Sequence, residues 1–160
     1  FVESTQLVVT DDHFQNAAPD MAATGRRTRD GAREMAKDPL VWQIVNDAVM
    51  GGVSTSHFQI RTNSGAVFSG VVSLENNGGF ASVRSQPVRA DLTGCDSFLL
   101  RIRGDGRRYK FSVRTEAGLD TPLYQCSFTT KEGAWEEHRL AFSDFVPTFR
   151  GRVLTDTPPL

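Results

Sequence analysis

The chain has 160 residues, of which 39% are hydrophobic, and a formal net charge of −1 at pH 7. This length predicts a single domain. The near balance of charge disfavours a protein that coats nucleic acid or an anionic membrane. No apolar run approaches the roughly 20 residues that a membrane-spanning helix needs, so no such helix is predicted.

Residues 1–40 differ from the rest of the chain and are predicted to form an N-terminal extension or arm. They are polar and rich in alanine, with a candidate strand at 7–10 and a candidate short helix at 29–37 that ends before Pro39. The first residue is Phe1 rather than Met, which leaves an upstream targeting segment open. The domain itself is predicted to span residues 41–160.

From Trp42 onward, short apolar alternations are separated by Gly, Asn, Asp and Pro, a pattern typical of β-strands joined by turns. Apolar residues alternate over 98–102 and again over 109–113, and the Asp-Gly pair between these runs predicts a hairpin turn at 104–107. Many short strands without intervening helical patterns indicate an all-β sandwich or barrel. The predicted strands are Trp42–Val45, His57–Arg61, Ala66–Ser73, Phe80–Arg84, Ser97–Arg103, Arg108–Thr115, Leu123–Phe128 and Trp135–Phe142.

The sequence offers no catalytic constellation. Its three histidines are scattered, and the nucleophile, phosphate-binding and dinucleotide-binding motifs are absent. His138 falls within a predicted strand and is expected at the surface. Cys95 and Cys126 are the only cysteines and are expected to be half-buried thiols of a protein in a reducing compartment. We therefore predict a protein that is not an enzyme and has no cofactor or metal.

The segment LENNGGFASVR, residues 74–84, allows two interpretations. Glu75, Asn76 and Asn77 could supply oxygen atoms to a ligand or a metal ion. Alternatively, the segment is a turn in which Asn and Gly adopt left-handed backbone conformations. Because Phe80 is the only aromatic nearby and is expected to face the core, a sugar site is disfavoured. We predict a structured turn.

A second glycine-rich segment, VNDAVMGGVS at residues 45–54, resembles a phosphate-binding turn only loosely. Its Gly51-Gly52 pair lacks both a third glycine and a following helix. Because both segments are polar and rich in glycine between apolar strands, we hypothesise that they pack together. Coordinates that place Asp47 and Asn76 at opposite ends of the sandwich would refute this hypothesis.

Positive charge is concentrated between Arg84 and Arg114, with eight basic residues against three acidic ones. Arg101 and Arg103 should share one face of their strand, and Lys110 and Arg114 one face of the next strand. If these strands form a hairpin, they present a basic face. This face is either solvated or a docking surface for an acidic protein or an RNA backbone, and the absence of aromatics beside the arginines disfavours RNA.

Six segments in collinear order resemble the complex I intermediate-associated protein 30 family. They are WQIVNDAVMGGVS (42–54), FSGVVSLENNGGFASVR (68–84), LLRIRGDGRRY (99–109), TPLYQCSF (121–128), the Trp135 strand and FSDFVPTFRGR (142–152). The resemblance implies a galactose-binding-like β-sandwich (jelly roll) that acts as a non-catalytic assembly factor. Members of the family help to build respiratory complex I in mitochondria by binding membrane-arm intermediates and other assembly proteins, and related domains occur in bacteria and plastids.

The chain departs from the family pattern in two places. The family domain normally continues past residue 152 with further strands that complete the sheet, whereas this chain stops at Leu160, so C-terminal strands are expected to be missing. The N-terminal forty residues are not explained by the family pattern either. They, or a strand from a partner, could fill the gap in the sheet.

The first functional hypothesis is a protein-interaction module of a large membrane-bound electron-transfer complex, most naturally respiratory complex I and alternatively a photosynthetic complex. It places the protein in the mitochondrial matrix, with the plastid stroma or the bacterial cytoplasm as alternatives. The competing hypotheses are a carbohydrate-binding module and an RNA-linked factor of organelle biogenesis. The candidate partner-binding residues are Asp47, Met50, Glu75, Asn76, Asn77, Arg101, Arg103, Arg107, Arg108 and Lys110.

Overall fold

The computed structural model describes residues 4–9, 18–27, 32–34, 41–61, 65–87, 92–116, 118 and 120–160. Within these ranges the protein consists of thirteen strands and three short 3-10 turns. The strands are β1 (Ser4–Val9), β2 (Ala18–Arg27), β3 (Ala32–Glu34), β4 (Trp42–Ile44), β5 (Thr55–Arg61), β6 (Gly65–Val71), β7 (Ala81–Ser85), β8 (Cys95–Arg103), β9 (Arg108–Arg114), β10 (Leu123–Thr129), β11 (Trp135–Ala141), β12 (Val146–Phe149) and β13 (Arg152–Val153). The 3-10 turns are Asp47–Met50, Glu75–Asn77 and Phe142–Asp144.

The strands form a two-sheet β-sandwich. One sheet has seven strands in the order β13-β12-β10-β9-β1-β7-β4, and the other has four in the order β11-β8-β2-β3. Strands β5 and β6 form a separate antiparallel pair, and β6 lies against β2. The all-β prediction is therefore confirmed. No helix in the described ranges is long and apolar enough to cross a membrane.

The core lies between the two sheets and is built by residue alternation, as predicted. Strand β8 buries Phe98, Leu100 and Ile102, and strand β9 buries every second residue from Tyr109 to Val113. The rings of Phe98 and Phe111 meet edge to face across the core, with 5.3 Å between their centroids. Because successive side chains of a strand point to opposite faces, Arg101 and Arg103 of β8 and Arg108 of β9 are exposed, although Ser112 of β9 is 0% exposed.

The predicted hairpin between β8 and β9 is wrong, because these two strands belong to different sheets. Strand β8 pairs with β11 and β2, whereas β9 pairs with β10 and β1. Residues 104–107 carry the chain from one sheet to the other. Gly106 has the positive φ, 86°, that the Asp-Gly pair predicts, and the Tyr109 hydroxyl donates to Asp105 Oδ1 over 2.9 Å. Alternation reports which face of a strand is buried, but it does not distinguish neighbours in one sheet from strands that face each other across a core.

The predicted short helix at 29–37 is wrong over residues 32–34, and its remaining residues lie outside the described ranges. Strand β3 pairs with β2, placing Thr24 opposite Glu34 and Arg26 opposite Ala32. Tertiary pairing here outweighs the weak local preference for helix. The candidate strand at 7–10 is confirmed over 7–9, since β1 lies between β9 and β7 in the seven-stranded sheet. The proposed domain boundary at residue 41 stays a prediction.

Two short strands near the C-terminus were not predicted. Strand β12 pairs with β10 and strand β13 with β12, so both extend one end of the seven-stranded sheet. Pro147 and the four-residue length of β12 weaken the sequence signal, since proline is rare inside strands. The last residues return to the sandwich, where Pro158 O accepts a hydrogen bond from the Tyr124 hydroxyl (2.9 Å) and Leu160 packs against the core.

Candidate functional site

A buried carboxylate, Asp47, joins the two glycine-rich segments at one end of the sandwich. It is 0% exposed. Its Oδ1 accepts a hydrogen bond from the Ser54 N–H (3.0 Å), and its Oδ2 accepts from the Ser54 hydroxyl (2.5 Å) and from the backbone N–H groups of Gly79 (2.7 Å) and Phe80 (3.3 Å). The Ser54 hydroxyl oxygen also accepts from the N–H of Ser73 (3.0 Å). We call residues 46–54 and 73–80, held together in this way, the loop tip.

The hydrogen bonds keep Asp47 ionised despite its burial. Burial by itself would raise the pKa of the carboxyl group, because it disfavours the charged form. The bonds from the Ser54 side chain and from the N–H groups of Gly79, Phe80 and Ser54 all favour the anion, and the pKa lies below its ordinary value of 3.8. Oriented hydrogen-bond donors therefore stabilise the charge of Asp47.

Two glycines leave room for this carboxylate. A Cβ atom on Gly78 would lie 2.6 Å from Asp47 Oδ2 and 2.7 Å from Ser73 O, and one on Gly52 would lie 2.5 Å from Asp47 Oδ1. Real Cβ atoms do not approach other atoms so closely, because packed interiors leave no such overlap. The two glycines are thus required by space.

The hypothesis that the two segments pack together is confirmed, since Asp47 of one is hydrogen-bonded to Gly79 and Phe80 of the other. The predicted left-handed backbone is found at Asn76 (φ 54°), Asn77 (φ 59°) and Gly79 (φ 133°), but not at Gly78, whose φ is −67°. The expectation that Phe80 faces the core is wrong. Its side chain is only half-buried, and it lies outside the core cluster.

Of the five candidate partner-binding residues in the loop tip, one is buried and four are exposed. Met50 is 63% exposed, and Glu75, Asn76 and Asn77 are also exposed. Asp47 was expected among the partner contacts, but full burial leaves it no surface with which to touch another molecule. Its oxygens are already engaged by four donor groups, so its role is to hold the loops in place.

The predicted basic face does not exist as one surface, because its residues are divided between two sheets. Arg101 and Arg103 lie on the outer face of the four-stranded sheet, whereas Arg108 and Lys110 lie on β9 of the seven-stranded sheet. Arg107 lies in the connection between the sheets, where its Nε is 3.1 Å from Asp105 Oδ2. The mistake follows directly from the hairpin assignment.

An exposed tryptophan accompanies the arginines of the four-stranded sheet, contrary to the expectation that no aromatic lies beside them. The guanidinium carbon of Arg101 lies 5.0 Å from the centroid of the Trp135 ring, and Trp135 is 46% exposed. Arg103 Nε donates to Gly133 O over 2.9 Å. Glu137 is paired opposite Arg101 in the ladder between β11 and β8. We call Arg101, Arg103 and Trp135 the Arg–Trp face.

His138 is not the surface residue that its strand position suggested. Its ring packs against Phe128, with 4.8 Å between ring centroids, and its Nε2 is 3.6 Å from Glu136 Oε2. The Lys131 N–H donates to Glu136 Oε2 (2.6 Å), and this bond, opposed by burial, holds the pKa of Glu136 below its ordinary value. His57 is exposed, and His13 lies outside the described residues.

The sequence model of the family described as complex I intermediate-associated protein 30 matches residues 32–160, which include the loop tip and the Arg–Trp face. The chain belongs to this family. The resemblance drawn from the six collinear segments is thereby confirmed. No group of three or more His, Cys, Asp or Glu side chains is arranged to hold a metal ion in the described part of this family member.

This family member is similar to three proteins that carry the name complex I intermediate-associated protein 30, mitochondrial. The Drosophila melanogaster protein is 27% identical over 132 residues, covering 70% of this chain and 45% of the relative. The Mus musculus protein is 25% identical over 139 residues, covering 74% of this chain and 42% of the relative. The Neurospora crassa protein is 38% identical over 56 residues, covering 34% of this chain and 20% of the relative. The chain therefore spans less than half the length of these relatives.

No solved structure matches this family member. The two-sheet sandwich rests on the strand pairing described above, and the galactose-binding-like label stays a prediction. Three features of the loop tip and the Arg–Trp face were not predicted from the sequence: the Trp135 ring beside Arg101, the Ser54 hydroxyl on Asp47, and the exposed Val49 and Leu74. A signal for the last was present, because apolar residues in turns rich in Gly and Asn have no strand alternation to bury them.

Proposed function

We propose that this chain is a non-catalytic protein-interaction module that associates with assembly intermediates of respiratory complex I. The observation that carries the proposal is the family match over residues 32–160. Further support comes from the names of the relatives, which describe mitochondrial proteins associated with a complex I intermediate. Since the chain spans less than half of those relatives, their partners are carried over as part of the proposal. We place the protein in the mitochondrial matrix.

Within this proposal the Arg–Trp face contacts an acidic surface of a partner subunit. Tryptophan and arginine are the residue types that most often carry interface binding energy. The Trp135 ring restrains Arg101 and the Gly133 carbonyl restrains Arg103, so less side-chain entropy is lost on binding. Glu137 is paired opposite Arg101 in the neighbouring strand, which limits the surface to a local contact rather than a broad positive field.

The proposal is tested by affinity purification of the full-length native protein from mitochondrial membranes, followed by mass spectrometry of the bound subunits. We expect subunits of complex I in stoichiometric amounts. A glycan-array hit together with an absence of complex I subunits would overturn the proposal in favour of a carbohydrate-binding module. Ribonuclease-sensitive recovery of RNA without those subunits would favour the RNA-linked alternative.

Reversing the charge of the Arg–Trp face should weaken binding to the partner. We expect the double variant Arg101→Glu and Arg103→Glu to reduce affinity for purified assembly intermediates about tenfold at low salt, mainly through slower association. Higher salt should shrink the difference, because exposed charges are screened. Surface plasmon resonance at two salt concentrations measures both effects.

The matched control is Arg150→Glu with Arg152→Glu, which makes the same change in net charge at two exposed positions at the β12–β13 end of the seven-stranded sheet. We expect this control to change the affinity less than about twofold. Equal losses for the two double variants would show that net charge alone is responsible, and the Arg–Trp face would then have no specific role.

A further inference from the structure

We propose that the loop tip inserts into an apolar groove of the protein partner, with Val49, Met50 and Leu74 as the inserted side chains. This inference deepens the proposed function and rests on it. The occupant is a protein groove that is apolar inside and carries hydrogen-bond donors or basic side chains at its rim.

Among the side chains that the structure describes, all from residue 41 onward, the exposed apolar ones are concentrated in the segment that contains most of the loop tip. Eight of the eleven large hydrophobic residues that are exposed in the described ranges lie between residues 41 and 74. Val49 is 80% exposed, Met50 63% and Leu74 62%. Single exposed apolar residues are ordinary, but a group of them on one small surface marks an interaction site.

Asp47 brings these side chains to the same place. Val49 and Met50 belong to the 3-10 turn that begins at Asp47, and Leu74 precedes the Glu75–Asn77 turn. A Cβ atom on Gly79 would lie 3.1 Å from Leu74 Cδ2, and the Gly79 N–H is bonded to Asp47 Oδ2. The apolar residues of the two turns therefore emerge around one fixed carboxylate.

The same network makes the loop tip rigid before any partner arrives. Three backbone N–H groups and one hydroxyl from two separate segments converge on Asp47. An interface that is already ordered loses less conformational entropy on binding, so more of the contact energy contributes to affinity. Asp47 acts here as a positioning residue and does not touch the partner.

The charges of the loop tip decide between a protein groove and a lipid bilayer. Residues 46–54 and 73–80 contain no Lys, Arg or His, and Glu75 is the exposed charge among them. Peripheral binding to membranes usually combines apolar side chains with cations that attract anionic lipids. A carboxylate beside Leu74, with the amide groups of Asn76 and Asn77, instead complements donors and cations at the rim of a protein groove.

The test uses a double variant that carries both Met50→Asp and Leu74→Asp. Its control is the single variant Val153→Asp. Val153 is 64% exposed, which matches the exposure of the two tip residues, but it lies on β13 at the opposite edge of the seven-stranded sheet from β4. The probes are purified complex I assembly intermediates in detergent and vesicles of neutral or anionic phospholipid. Thermal unfolding of each variant confirms that the domain remains folded.

We expect the double variant to bind the intermediates at least about tenfold more weakly, and Val153→Asp to bind within about twofold of the unchanged protein. A photo-crosslinking residue in place of Met50 should label a complex I subunit, whereas one in place of Val153 should not. Neither kind of vesicle should bind the protein.

Each contrary outcome has its own meaning. Unchanged binding of the double variant would overturn this inference, and the proposed function would survive if the unchanged protein still captures complex I subunits. Binding to vesicles that the double variant loses would reassign the loop tip to a lipid surface. Failure of the unchanged protein to bind the intermediates at all would overturn the proposed function and this inference together.

Discussion

Replacing Asp47 by Asn should destabilise the fold by about 2–4 kcal/mol at pH 7. The two side chains have nearly the same shape, but Asn has only one acceptor oxygen. If its NH2 group takes the place of Oδ1, it faces the Ser54 N–H, and if it takes the place of Oδ2, it faces the N–H groups of Gly79 and Phe80. In either orientation donors are left unsatisfied in the interior, and denaturant unfolding measures the loss.

The destabilisation should depend on pH in a defined direction. The pKa of Asp47 is lower in the folded state than its ordinary value of 3.8, so ionisation stabilises the fold above that value. As pH falls through 3.8 and then through the folded-state pKa, the unchanged protein loses this contribution, while the Asp47→Asn variant has no carboxyl group to titrate there. The difference in free energy of unfolding should therefore be constant above about pH 5 and narrow towards about pH 3.

Asp144→Asn is the control for this prediction. Asp144 is exposed in the Phe142–Asp144 turn, so its replacement should change the free energy of unfolding by less than about 0.5 kcal/mol. Two results would show that the carboxylate is not what holds the two loops. One is a loss of less than about 0.5 kcal/mol in the free energy of unfolding for Asp47→Asn. The other is a difference in that free energy, between the unchanged protein and the variant, that does not narrow in acid.

Replacing Gly78 by Ala should cost about 3 kcal/mol of stability, and replacing it by Val more. The reason is steric, since the φ of −67° suits any residue but the added Cβ meets Asp47 Oδ2 and Ser73 O. Relief of this overlap requires the loop segments to separate and the Asp47 hydrogen bonds to break. Thermal unfolding should show a lower transition temperature for both variants.

Gly51→Ala distinguishes this steric effect from backbone strain. Gly51 has a φ of 89°, yet nothing lies within 4 Å of where its Cβ would be. Its replacement should therefore cost only about 1 kcal/mol, the usual penalty of a left-handed conformation for a residue with a side chain. If Gly51→Ala proved as damaging as Gly78→Ala, strain rather than space would govern the loop tip.

The segments that form the loop tip could be predicted from the sequence, but the roles of most individual residues in it could not. The two glycine-rich segments could be identified from composition, and their packing against each other was predicted. Met50 was already a candidate partner contact, and the place of Val49 and Leu74 in turns was a signal for their exposure. That Asp47 is the buried centre of this contact could not be predicted. Both turns lack a regular period, so nothing in the pattern identifies Asp47 as the residue that points inward.

The sequence by itself located the eight strands from β4 to β11, and it indicated the buried face of those with regular alternation, because alternation of apolar residues follows from the two-residue period of a strand. It missed β2, β12 and β13, whose segments lack that alternation or are short. The buried faces of β8 and β9 are an example, because the inward-facing rings of Phe98 and Phe111 meet in the core as the alternation predicts. Only the tertiary structure decided which strands are neighbours. Pairing between distant segments depends on the whole set of contacts in the fold. Strands β8 and β9 therefore lie in opposite sheets, and the basic residues are divided between those sheets. The segment of β3, whose local composition favours a helix, instead pairs as a strand.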